Sequence, residues 1–148
     1  MLTPLEQLEQ QIYDAGIELI ERRPRRDLDA VYIKLRGQRP RIYIDPAITL
    51  PCARYVILAE ELGHHYTTTG DILTLDTPDK LRQERAARIW AIHKCAPYAV
   101  ILQMLRQHYY MWEIAEWLYL PMWFLKTACE YYGLNGYTLA VSDEYASV

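Results

Sequence analysis

The stretch Ala59-Glu60-Glu61-Leu62-Gly63-His64-His65-Tyr66 constrains this chain more than any other. On an α-helix each residue turns about 100°, so Glu60 and His64, four apart, lie almost one above the other and can share one metal ion. Glu61 falls beside the pair, where a carboxylate can polarise a water as general base. This is the geometry of the His-Glu-x-x-His zinc helix, with glutamate in place of the first histidine. A register pairing Glu61 with His65 is also sterically open, but it leaves no carboxylate at the following position to act as base. The competing reading makes Glu60, Glu61, His64 and His65 a solvated face. Ile57 on that side and a mid-helix Gly63 argue against it.

A catalytic zinc site takes three protein ligands, and the third comes from a second helix when it is a glutamate. Glu84 stands twenty residues after His64 in a helical stretch, Leu81 to Ala91. Ala87 and Ala91, one and two turns on, are small enough to let that helix approach closely. Asp71, in a polar loop, is a weaker rival because a loop holds a carboxylate less firmly.

These pieces together resemble the ImmA/IrrE family of metallo-endopeptidases, found on phages and mobile elements and among stress regulators. The Ala59 to Tyr66 helix, the Glu84 to Pro97 stretch and the Tyr43-Ile44-Asp45 strand carry the likeness, which covers residues 1 to 97. The resemblance implies a minimal gluzincin-type fold, metal ligands at Glu60, His64 and Glu84, and a general base at Glu61. Tyr66, His65 and Arg88 are candidates for oxyanion donor or for a contact to a ligand carboxylate; Tyr98, His93 and His108 are further donor candidates. Glu60 departs from the family's usual histidine. Two carboxylates and one imidazole make a harder, more negative site, so zinc is the expected ion and manganese or iron are alternatives.

The length of 148 residues suits one globular chain with a real core, and 51% hydrophobic residues supply it. The expected class is α+β: mostly helical, with a small antiparallel sheet beside the active-site helix and a helical C-terminal part. The expected divisions are a peptidase core over 1–97, a helical subdomain packed on it over 98–136, and a tail over 137–148. A net charge of −3 gives no electrostatic reason for direct nucleic-acid binding. No segment reads as a signal peptide or membrane span. Three cysteines without close-spaced pairs, Cys52, Cys95 and Cys129, fit a reducing cytoplasm and packing as small apolar groups.

The spacing of Leu5, Leu8, Ile12, Ala15 and Leu19 predicts a first helix over 4–20. Its end is marked by the basic turn Arg22-Arg23-Pro24-Arg25-Arg26, read as solvated rather than as a nucleic-acid contact. Val31–Leu35 and Arg41–Ile44 read as a hairpin turning at Gly37 and Pro40. The resemblance implies that an edge strand beside the metal helix holds substrate backbone. The active-site helix is expected from Pro51 to Tyr66, with Tyr55, Leu58, Ala59, Leu62 and Tyr66 on its core face. After a polar loop over 67–77 comes a helix over 78–95, then helices near 97–108, 111–119 and 121–132. Trp112 to Pro121 resembles the first half of a helix-turn-helix, but the following Met122-Trp123-Phe124-Leu125 is apolar where a DNA reader offers basic and amide groups. A packing or partner-docking role follows, with a DNA-binding regulator as the weaker reading.

By resemblance, then, the function implied is a cytoplasmic metal-dependent endopeptidase whose substrate is a helix-turn-helix repressor. The alternative is a degenerate scaffold that binds such a repressor without cutting it.

Overall fold

The computed structural model describes residues 1–25, 27–68 and 78–136. Its elements in chain order are α1 (Pro4–Asp14), β1 (Glu18–Glu21), β2 (Ala30–Ile33), β3 (Arg41–Ile44), α2 (Pro51–Thr67), α3 (Pro78–Cys95), α4 (Tyr98–Arg106), α5 (Met111–Trp117) and α6 (Met122–Tyr132). The fold is α+β and mostly helical. The chain divides into two compact units, Met1–Ala91 and Ile92–Val148, with the division inside α3.

In the first unit, α1 starts at a capping box: Glu6 N–H donates to Thr3 Oγ1 at 3.2 Å and Thr3 N–H to Glu6 Oε2 at 2.7 Å. Leu8 and Ile12 are its buried face. The helix stops at Asp14, not near residue 20. Gly16, at φ +77°, takes a left-handed turn open to glycine, and the chain then runs extended. Leu19, helically spaced in the sequence, instead pairs with Ile42 in a third strand.

The sheet is therefore mixed, not purely antiparallel: the order is β1-β3-β2, with β1 parallel and β2 antiparallel to the central β3. Ile42 and Ile44 of β3 are fully buried, and Ala30 and Tyr32 of β2 are buried. The Asp45 N–H donates to the Asp29 carbonyl at 2.9 Å, which sets the phase of the ladder. Asp29, Val31 and Ile33 direct their backbone groups at β3, so Ala30 and Tyr32 direct theirs at the outer edge of β2. Helix α1 packs on α2 and β1, and α2 packs on β2.

Pro51 opens α2. Arg54, its side chain 15% exposed, reaches Glu9 of α1 at 3.3 Å and Glu21 of β1, tying the first turn of α2 to both. Burial works against the guanidinium charge, but the two carboxylates outweigh it and raise the Arg54 pKa. Tyr55, Leu58, Ala59 and Leu62 are buried as their spacing requires, with Val56.

The second unit is built from α4, α5 and α6 around Ile101, Leu105, Ile114, Phe124, Leu125 and Ala128. Helices α5 and α6 pack together across a tight turn in which Tyr119 adopts φ 60°. Gly133, at φ 72°, ends α6.

Candidate metal site

One glycine explains how the site is assembled. A Cβ added to Gly63 would lie 2.6 Å from the Ala87 carbonyl oxygen, so the backbone of α3 rests directly on α2 at this point. Ala87 is 1% exposed, the small residue that this approach demands. Glu84 sits one turn before Ala87 and His64 one residue after Gly63, and the close crossing brings them together. His64 Nε2 and Glu84 Oε1 are 3.5 Å apart.

His64 is the buried polar residue of α2, 6% exposed. Burial alone would discharge its imidazole, but Glu84 and the charges of Glu61 and Glu60 outweigh burial and raise its pKa. The same contact holds the Glu84 carboxyl below its ordinary range. Glu60 points elsewhere: Arg88 of α3 donates from Nε to Glu60 Oε1 at 3.0 Å. Glu61 is half-buried, and burial, its largest influence, pushes its pKa up to about 7. His64 pulls that value down, Glu84 and Glu60 push it up, and a hydrogen bond from the Tyr32 backbone N–H lowers it.

Tyr32 is a site residue that the sequence does not single out. Its N–H faces Glu61 while its phenol lies 2.7 Å from His65 Nδ1. Burial pushes the phenol up to about 12, so it keeps its proton. Burial and then Lys34 lower the pKa of His65, whose Nδ1 shares this hydrogen bond with the Tyr32 hydroxyl. The signal available in the sequence is alternation: Ala30 and Tyr32 share the helix-facing side of β2.

Tyr66, expected on the core face, is 57% exposed. It lies in the last turn of α2, where its ring stacks on Trp90 at 5.3 Å and meets His65 edge-on at 5.0 Å. In the second unit, His93 Nε2 lies 3.2 Å from the Tyr131 hydroxyl, and His108 takes φ 63° just after α4. Asp71, the polar loop beyond Thr68 and the tail over 137–148 lie outside the described residues.

Among the described residues, no three His, Cys, Asp or Glu side chains are grouped closely enough to hold a metal ion. The structure brings His64 and Glu84 together and turns Glu60 to Arg88. A tetrahedral ion with bonds of about 2.0–2.1 Å sets neighbouring donor atoms roughly 3.4 Å apart. The 3.5 Å between His64 Nε2 and Glu84 Oε1 matches that edge, so this pair fits a divalent ion. His64 Nδ1 is buried and has no hydrogen-bond partner among the described residues, so nothing described there fixes the ring from behind.

The family model for the IrrE N-terminal-like domain, a peptidase family, matches residues 12–128. The chain belongs to this family. No curated protein and no solved structure gives a significant match. The IrrE N-terminal-like match makes this a metallopeptidase-type chain and implies a protein substrate. No helix among the described residues is long and apolar enough to cross a membrane.

Proposed function

We propose that this chain is a metal-dependent endopeptidase that cleaves a helix-turn-helix repressor of a phage or mobile element in the cytoplasm. The observation that carries the peptidase reading is the His64–Glu84 pair at 3.5 Å, beside a Glu61 whose pKa is about 7, in a member of the IrrE N-terminal-like family. The repressor rests on the resemblance of the active-site stretches.

His64 and Glu84 would hold the ion, zinc by preference and manganese or iron as alternatives, with Glu60 as third ligand through the carboxylate that Arg88 orients. When bound, the ion supplies Lewis acidity, lowering the pKa of a water and polarising the scissile carbonyl. Glu61 does the proton work. A carboxyl with a pKa near 7 can take a proton from the attacking water and return it to the leaving amine at neutral pH. The Tyr32 N–H steadies its charged form. His65, fixed by Tyr32, is the donor candidate nearest in sequence for the oxyanion, with Tyr66 beside it.

A specific observation favours a second reading. Arg88 occupies Glu60, and a carboxylate kept in an ion pair would leave only two protein ligands, as in a scaffold that binds a repressor without cutting it. Elemental mass spectrometry on zinc-loaded, gel-filtered protein separates the two. One ion per chain, lost in Glu60→Ala and Glu84→Ala, with cleavage abolished and the ion retained in Glu61→Gln, is expected of the peptidase. No retained ion in any variant would leave the scaffold.

A further inference from the structure

The first unit also carries a cavity whose lining shares no residue with the metal site. It measures about 370 Å³, near the lower end of the roughly 300–1,000 Å³ of small-molecule sites, so it suits a ligand of few atoms. Its walls come from the C-terminal half of α1, the start of β1 and the loop between β2 and β3. Ile12 and Ile17, 1% and 2% exposed, give it an apolar floor together with Leu19. Tyr13 adds an exposed ring.

The backbone of β1 is open on this side. The Glu18 N–H donates to the Pro40 carbonyl and the Arg22 N–H to the Ile44 carbonyl, each at 3.0 Å. Alternate residues of β1 therefore face β3, and the peptide groups of Leu19 face away from it. Strand β1 ends the sheet, and among the described residues no strand pairs with that edge.

Charge decides what fits. Three charged side chains line the cavity, Glu9, Glu18 and Arg39. Glu9 is already held by Arg54 at 3.3 Å. Glu18 and Arg39 are exposed, and among the described residues neither is in an ion pair, with the other or with any third group. Arg39 Nε donates to the Gly16 carbonyl at 2.8 Å, which anchors the guanidinium at the turn between α1 and β1 and leaves its terminal nitrogens for a second partner. A guanidinium anchored in this way is a carboxylate receptor, and Glu18 is the matching receptor for an ammonium. One small cavity that offers both, over an aliphatic floor, matches a molecule carrying both charges and an apolar tail. The end of a peptide carries only one of the two.

We infer that this cavity binds a free apolar α-amino acid, with its carboxylate on Arg39, its ammonium on Glu18 and its side chain against Ile12, Ile17 and Leu19. The proposal does not depend on the peptidase reading.

The test is a titration of the isotope-labelled chain with L-leucine, followed by amide chemical shifts. Saturable shifts are expected around the cavity, at Tyr13, Ile17, Glu18 and Leu19. Leucinamide, which lacks the carboxylate, and isocaproate, which lacks the ammonium, should each bind about fivefold or more weakly than leucine. R39Q should weaken leucine by a similar factor and leave leucinamide unchanged; E18Q should weaken leucine and leave isocaproate unchanged. The Glu18 side chain makes no hydrogen bond or ion pair among the described residues, so E18Q keeps the test decisive even if R39Q, which gives up the Gly16 contact, fails to fold. Shifts that do not saturate, shifts centred elsewhere in the chain, equal affinity for the three ligands, or a leucine affinity unchanged in E18Q would overturn the proposal.

Discussion

At the scale of single residues, Arg88 is the side chain on which the two functional readings diverge. It holds Glu60 at 3.0 Å while itself about half exposed. If it orients Glu60 as a ligand, Arg88→Ala removes a supporting contact, and such losses weaken metal binding by about 10–100-fold. Isothermal titration with zinc reads this directly; tighter binding in the variant would show Arg88 to be a competitor for Glu60 and favour the scaffold. The cysteines give a second residue-scale prediction. Cys95 and Cys129 are buried and Cys52 is partly exposed. Burial pushes the Cys129 thiol up to about 11, so at pH 8 roughly one molecule in a thousand carries its thiolate. A thiol-reactive dye at pH 8 should label one cysteine quickly, Cys52, and labelling of Cys129 in folded protein should rise about tenfold per pH unit until pH nears 11. Equal rates at Cys52 and Cys129 would refute the packing described.

At the scale of elements, the crossing of α2 and α3 is the structural basis of the site. Gly63→Ala would place a methyl 2.6 Å from the Ala87 carbonyl oxygen, and a backbone atom cannot swing aside as a side chain does. The helices must part, at a cost on the order of 1–3 kcal/mol, and Glu84 must leave His64. Expected outcomes are a lower melting temperature and weaker zinc binding together; a variant as stable as the parent, with unchanged zinc affinity, would show that the helices have room to separate. This crossing also shows what was legible in the sequence. Ala87 and Ala91 are small enough to allow a close approach and Gly63 is the wrong residue for a solvated helix face, but that Gly63 is the point of contact shows only in the structure. The positions of α2, α3, α5 and α6 follow from proline starts and apolar spacing. β1 does not, because Ile12, Ala15 and Leu19 fit a helical stripe equally well. Only pairing with β3, a contact distant in sequence, decides for a strand after Gly16. The orientation of Glu60 was hidden for the same reason. Its partner Arg88 lies 28 residues away on another helix, and helical phase alone says only that Glu60 can face an ion, not that an arginine already faces it.

At the scale of the whole molecule, every described residue of the proposed metal site belongs to the unit Met1–Ala91. A ligand that binds only the folded state stabilises what it touches, by about 2.7 kcal/mol at one hundred times its dissociation constant. Local opening has its own free energy in each part of a fold. Zinc should therefore slow amide exchange where its ligands sit: in the second half of α2, which carries Glu60 and His64, and in the part of α3 around Glu84. Helices α5 and α6 have a separate core of Ile114, Phe124, Leu125 and Ala128 and contribute no ligand, so their exchange should not change. Hydrogen exchange followed by mass spectrometry, with zinc and with a chelator, measures both at once. Slowing confined to α2 and α3, and absent in Glu84→Ala, is what ligation by these two helices requires. Slowing spread evenly over both units would mean instead that the ion acts on the fold as a whole, and no slowing anywhere would remove the ion from the account of this chain.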